Sequence, residues 1–279
     1  EAAGAGVTGF TDATPFVRPD ELDLVARALR RGDISQRLTV MTAPGAEITA
    51  LDIEESIALG PVKILLDDRR LPAFDEFASM VLDAHGGGRP VAVHCVTRMQ
   101  AVLTSAVLVE VGTVAGDRME HGSVIPGEIA RELHTLGVTV ITNPGLVRER
   151  GDAYLRDLGA DDLGELYRSA SLRSAGVGLA AGTDAPFGPS DPWEVARTAV
   201  TRQTAACVPL GASERLTPWE ALALFFGFSD APATLRMVRP GQPGDLCLLR
   251  VPLREALRHL DAGAVAATVV RGQMVADHR

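Results

Sequence analysis

Lysine is almost absent from this chain. Among 279 residues the Lys and Arg total is 27, yet Lys63 is the only lysine. Aromatic residues make up 4%, and the three cysteines, Cys95, Cys207 and Cys247, lie far apart with no CxxC spacing. Three cysteines cannot all pair, so reduced, buried thiols in a cytoplasmic protein are the expectation. No apolar run nears the roughly 18–20 residues that span a bilayer, so no membrane role is expected. The net charge of −9, with no basic stripe, excludes a nucleic-acid surface. An initiator methionine and a signal-peptide pattern are missing too: the chain opens on Glu1 and runs into Val7-Thr8-Gly9-Phe10-Thr11.

What is there has the rhythm of β/α units. Short apolar runs read as strands at Val7–Thr14, Leu38–Ala43, Val62–Asp67, Val91–Val96, Arg118–His121, Val138–Thr142 and Val177–Gly182. Helix-period segments fit Pro19–Arg31, Asp75–Ala84, Gln100–Val111, Ile129–Leu136, Leu163–Ala175 and Asp191–Ala206. Seven strands spaced mostly about 20 to 40 residues apart predict an α/β fold, a (β/α)8 TIM-type barrel of which seven strands are counted. A doubly wound open sheet is the alternative, but no glycine-rich phosphate loop follows an early strand. The tail differs in character. After a helix-like Thr217–Phe226 come Pro240-Gly241-Gln242-Pro243-Gly244, a strand Asp245–Arg250, a short helix Arg254–Leu260 and a strand Val265–Arg271. The expected division is a barrel over residues 1–236 and a small β-rich appendage over 237–279.

Four residues carry the chemistry. Lys63 sits inside an apolar strand, where it either snorkels and pairs with Asp67 or Asp68, or serves as a desolvated amine. In a chain that uses arginine everywhere else, the exception points to chemistry a guanidinium cannot do, such as nucleophilic attack, base catalysis or carboxylation. His94 ends the strand at Val91–Val96, and His121 ends Arg118–His121. Asp184 follows a small-residue strand in Gly182-Thr183-Asp184-Ala185-Pro186. Singly, each has a bland reading: a structural histidine, or an aspartate that forms a turn. Together they stand one, one and two β/α units apart, at the carboxyl ends of strands, where barrel enzymes build their sites. Two imidazoles, a carboxylate and a modifiable lysine suit zinc or a similar divalent ion. Arg98, Asn143 and Glu120 are candidate lining groups. Arg98 could hold a substrate carboxylate in a bidentate fork or lie on the surface.

These stretches resemble the amidohydrolase superfamily, and more closely its branch of amide and N-acyl hydrolases, the amidohydrolase family 3 type. The matching segments are Gly6–Ala13, Pro61–Ile64, Val93-His94, Arg118–His121 and Ala181–Pro186. In the tail, Leu216–Leu222, Pro240–Leu246 and Val269–Gly272 resemble that family's last barrel helix and the closing part of a small β-sandwich. The resemblance implies hydrolysis of an amide, N-acyl or cyclic amide C–N bond of a small-molecule substrate by metal-activated water. It implies that His94, His121, Asp184 and a carboxylated Lys63 hold one or two divalent ions, most naturally zinc, with Asp184 as general base. A cyclic amidine deaminase on the same barrel and a non-catalytic barrel are the alternatives, and a homo-oligomer is left open. The sequence departs from the family by having no His-x-His pair, which the resemblance places on strand one, so a barrel lacking its first strand is implied. Either it is part of a longer enzyme, as the start at Glu1 suggests, or it is a barrel that cannot hold two ions.

Overall fold

The computed structural model describes residues 1–48 and 57–278. Seven parallel strands form one sheet in strict chain order: β1 (Gly9–Phe16), β2 (Arg37–Thr42), β3 (Ile57–Leu65), β4 (Val91–Cys95), β5 (Arg118–His121), β6 (Thr139–Thr142) and β7 (Gly178–Ala181). Around them run α1 (Pro19–Arg31), α2 (Phe74–Gly86), α3 (Arg98–Val111), α4 (Gly127–Leu136), α5 (Gly145–Asp157), α6 (Ala160–Gly164), α7 (Ser169–Ser174), α8 (Pro192–Thr201) and α9 (Pro218–Ala223). The strand order never reverses, so the sheet has no topological switch point, and the doubly wound alternative falls. A letter match to G-x-G-x-x-G at Gly4–Gly9 lies ahead of β1, in a 3₁₀ turn and the strand's own start, and forms no βα phosphate loop.

Strand register explains how the core and the site share one sheet. Side chains alternate across a strand, and partners in a parallel pair point the same way. The pairings Ile64–Val93, Val93–Met119, Met119–Val140 and Val140–Leu179 run one buried row across five strands. That row packs on Phe77 and Val81 of α2, Ala101 and Leu108 of α3, and Ile129 and Leu133 of α4. The opposite face carries Lys63 paired with Ala92, Ala92 with Arg118, and His94 with Glu120. One face is apolar and covered by helices, and the other gathers charge.

After the parallel sheet come β8 (Leu246–Leu249), α10 (Leu253–His259), β9 (Val265–Val270) and β10 (Gln273–Asp277). The last three strands form an antiparallel sheet in the order β10-β9-β8. These are the only two sheets among the described residues, so the tail is β-rich as expected, but a second layer of a sandwich is not among them.

Several elements differ from the sequence pattern. The expected helix Leu163–Ala175 is split into α6 and α7, because Leu166 bridges to Val124 and Tyr167 takes a positive φ of 47°. The helix after β6, α5, was not expected. Asn143-Pro144-Gly145 reads as a turn, and Gly151 reads as a break. Gly151 is instead a close-packing point, since a β-carbon there would lie 2.6 Å from Thr204 Cγ2. The strand β3 starts at Ile57, ahead of the expected Val62, and β10 was not expected. Cys95 is buried and bonded to the Thr104 hydroxyl, whereas Cys207 and Cys247 are exposed, one in the loop after α8 and one on β8.

Candidate active site

The carboxyl ends of β3 to β7 are tied to one another by side chains from the loops that follow them. The Thr97 hydroxyl caps α3 and its capping-box partner Gln100 accepts from the backbone N–H of Val96 and Thr97. The Gln100 amide also donates to the Leu66 carbonyl at 3.2 Å, and Thr97 Oγ1 to Asp68 at 3.0 Å. The segment that follows His94 is thereby fastened to the segment that follows Lys63.

Lys63 lies 3% exposed on β3. Burial pulls its ammonium below its ordinary pKa, with the nearby Glu120 carboxylate opposing and Arg118 assisting. No hydrogen bond or ion pair holds it to Asp67 or Asp68 among the described residues, so the surface-pairing alternative falls. Arg118 and Glu120 stand two residues apart on the same buried face, with Arg118 Nε 2.8 Å from Glu120 Oε1. The angle makes this contact a charge pair and not a hydrogen bond, which leaves both atoms without a hydrogen-bond partner.

His121 reaches the same face by a different route. Its strand partner is Cys95, which belongs to the helix-covered row, so plain alternation would aim its ring at the core. A left-handed φ of 66° at the strand end, followed by Gly122 at 50°, breaks the alternation. The result is an edge-to-face contact with His94, centroids 4.6 Å apart at 76°. Left-handed backbone in a residue with a bulky side chain costs on the order of 1–3 kcal/mol and persists only where the surroundings dictate it. Asp184 also adopts the left-handed region, at φ 58°. Left-handed backbone also occurs at Tyr167, Arg202, Cys207, Leu260 and Arg271, so at His121 and Asp184 it matters for where it aims the side chain and does not by itself mark the site.

Asn143, after β6, supplies the next tie. Its amide nitrogen donates to the Gly182 carbonyl at 3.0 Å, which fixes the amide orientation and turns Oδ1 towards His121 Nδ1 at 2.9 Å. Nδ1 therefore carries the proton, and Nε2 keeps its lone pair. Burial, then the neighbouring His94, then Lys63 push the His121 pKa down to about 4. His94 is lowered by burial and by Lys63. Two neutral imidazoles at neutral pH suit metal ligation. Burial raises the Asp184 carboxyl, opposed by Lys63 and by Arg150.

The structure brings His94 and His121 into ring contact beside Lys63's sheet face, with Asn143 behind His121; the charge of Lys63 acts on Asp184, and no hydrogen bond or ion pair joins Asp184 to either histidine among the described residues. It places Arg98 elsewhere in its interactions: its guanidinium pairs with Asp162 at 2.9 Å and Glu165 at 2.7 Å. No three His, Cys, Asp or Glu side chains converge as a metal-holding cluster among the described residues. The donors present fit a divalent ion in kind, as neutral nitrogen and anionic oxygen, and need the lysine to complete the set. Arg118 and Arg150 escaped the sequence reading. Arg118 could have been found from its spacing, two residues before Glu120 on the His94 face. Arg150 could not, because the helix that carries it was not expected.

A family model described as the amidohydrolase family matches residues 1–276, and the chain belongs to that family. An N-substituted formamide deformylase from Arthrobacter pascens is 32% identical over 110 residues, which is 39% of this chain and 20% of that protein. Among solved structures, an uncharacterized metal-dependent hydrolase from Pyrococcus horikoshii superposes with a TM-score of 0.68 at 19% identity, covering 83% of this chain and 53% of that one. Ochratoxinase from A. niger gives 0.62 at 17%, covering 98% and 72%. At these identities the structural likeness speaks to the fold. The chain spans about half the length of the Pyrococcus protein.

Proposed function

We propose that this amidohydrolase-family chain is the larger part of a hydrolase that cleaves an amide or N-acyl C–N bond with metal-activated water. The observation that carries the reading is the His94–His121 ring pair, centroids 4.6 Å apart, at the carboxyl ends of adjacent parallel strands beside the only lysine. The strictly sequential sheet, with helices on one face, supports a (β/α)8 barrel whose missing strand would join β1 to β7. Residues 1–236 would form the barrel and 237–279 part of a small appended β domain.

In this reading His94 and His121 present lone pairs, Asp184 an anionic oxygen, and Lys63 an amine that burial keeps ready for carboxylation. A divalent ion such as zinc, bound there, would lower the pKa of a water towards neutrality and polarise the scissile carbonyl. Asp184, raised by burial, takes the proton of the attacking water and returns it to the leaving nitrogen. Asn143 holds His121 in the tautomer that leaves Nε2 free. The substrate is a small molecule in a cytoplasmic setting, and no helix among the described residues is long and apolar enough to cross a membrane.

The chain should bind zinc or manganese, read by elemental analysis after dialysis, and the ion should be lost in His94→Ala and His121→Ala. The same ion should support hydrolysis across a panel of N-formyl, N-acetyl and N-benzoyl compounds. Unchanged ion content in both variants would overturn the assignment. One observation favours a second reading, a barrel that holds no ion by itself: no three-donor cluster of His, Cys, Asp or Glu among the described residues. An intact mass lacking the 44 Da of a carbamate, together with no retained ion, would select it.

A further inference from the structure

We infer that the outward face of α3 is an interface with a second copy of this chain, the two helices packing antiparallel about a two-fold axis.

The composition of the helix comes first. Between Arg98 at its start and Glu110 near its end, α3 carries no charged residue. Its inner side is accounted for, since Ala101, Val107 and Leu108 are buried in the main core. Its outer side is apolar too. Met99 is 60% exposed, Val102 39% and Val109 58%, and Ala106 between them is exposed as well. A helix on the outside of a water-soluble fold ordinarily turns charge to water, as α4 does with Glu128, Arg131 and Glu132. An apolar side chain exposed singly means little, but a continuous row on one helix marks a surface that binds something.

The spacing of the row says what fits it. Steps of three, four and three residues separate Met99, Val102, Ala106 and Val109, the alternation by which two helices interlock at about 20°. In an antiparallel pair centred at the level of Thr104, Met99 of one copy lies level with Val109 of the other, and Val102 with Ala106. The same four residues therefore supply both sides of every layer, as the self-complementary patch of a two-fold dimer requires. Nothing within the row calls for a charged partner.

The place of α3 in the fold removes the other occupants this chain could offer. The preceding strand, β4, is the middle one of seven, three strands from either free edge of the parallel sheet. The tail is tied to the far side, where Thr268 donates to the Ala3 carbonyl ahead of β1 and Arg197 of α8 to the Leu260 carbonyl. A strand added at an edge would not reach α3, and neither does the tail. Because α3 starts at the carboxyl end of β4, antiparallel packing points the two candidate active sites in opposite directions and obstructs neither. Leu82 on the adjoining α2, 52% exposed, widens the patch. A contact of this extent lies at the small end of specific interfaces, about 1,200 Å² in total, so a reversible dimer with a Kd of roughly 1–100 µM is expected.

Sedimentation velocity of the 279-residue chain, from well below to well above that range, tests it. Wild type should pass from monomer to dimer. Met99→Lys and Val109→Glu each put an unpaired charge into an apolar layer and should weaken the dimer at least about 10-fold. Arg131→Glu, on the outer face of α4, should leave it unchanged. An equimolar mixture of Met99→Lys with Val109→Glu should dimerise again. The antiparallel register sets the introduced lysine level with the introduced glutamate in one layer and keeps Met99 against Val109 in the other, which a parallel pair would not do. Urea unfolding of each variant, followed by tryptophan fluorescence, should match wild type, as their exposed positions imply. A chain that stays monomeric throughout would overturn the inference and assign the row to a different protein. A dimer that either substitution leaves intact, or one that the mixture fails to restore, would overturn it as well.

Discussion

Lowering the pH from about 7.5 to about 4.5 titrates His121 almost fully in the unfolded chain but only in part in the folded one. Burial and the adjacent His94 hold the folded imidazole at about 4, against an ordinary value of 6.5. A group whose folded pKa is depressed takes up its proton on unfolding, so acid favours the unfolded state. Its contribution is intact above about pH 6.5 and drains away as the pH falls towards 4. Over the interval from about pH 7.5 to 4.5 the loss from His121 is about 2.5 kcal/mol. His94, lowered by the same burial, adds in the same direction. Asp184, whose carboxyl is raised, works the other way, because the folded state then holds its proton more tightly than the unfolded one. Its effect sets in as the pH nears the carboxylate range. Urea unfolding, followed by the fluorescence of Trp193 and Trp219 in the presence of a chelator, measures the sum. Comparison with His121→Asn isolates the His121 part, since asparagine tolerates the left-handed backbone of that position and does not titrate. The wild-type stability should fall about 2–3 kcal/mol further than that of the variant across the interval. Profiles that run parallel within about 0.5 kcal/mol would refute the reasoning, since the buried ring would then have no depressed pKa to lose.

Two further outcomes follow from the packing. In Gly122→Ala a new methyl would stand 2.6 Å from Val140 Cγ1 and 2.8 Å from Ile125 Cδ1 at a positive φ of 50°. A loss of roughly 2–4 kcal/mol in urea is expected, together with loss of ion binding as the His121 turn shifts, and a loss below about 0.5 kcal/mol would contradict it. Arg202 is fully buried and donates to the carbonyls of Leu166, Tyr167, Leu210 and Gly211, with its guanidinium pushed down to about 10 by burial. Arg202→Met would strand those acceptors at a cost of about 3–5 kcal/mol, seen as a large drop in Tm, and an unchanged Tm would show that water replaces the side chain.

Much of the scaffold was legible because its signals are local. The buried row of Ile64, Val93, Met119, Val140 and Leu179 needs only apolar residues in short runs, and the sequence shows those runs directly. Lys63 and His94 were singled out by their places in apolar strands and by the spacing of the β/α units. His121 and Asp184 were found by position in the chain, but nothing in the letters told that each takes a left-handed backbone. That property belongs to the turns that neighbouring strands impose. For Arg98 residue type left a substrate grip and a surface role open, and Asp162 and Glu165, 64 and 67 residues further along, engage its guanidinium. Helix α5 was hidden by the two glycines that let it pack closely. A glycine selected for contact looks the same in sequence as one selected for bending.

The two faces of the parallel sheet answer to different demands, and that separation bears on how such a protein can change over time. Val62, Ile64, Val91, Val93, Met119, Val140 and Leu179 are all anchored to helices. The residues interleaved with them, Ala92, Ile141 and Ala180 among others, lie outside that core cluster and border the charged groups. Mutation in the second set can alter the shape and polarity of the charged face while the first set goes on specifying the same fold. New substrate preferences can therefore accumulate in every second position of these strands, with the intervening positions preserving foldability throughout.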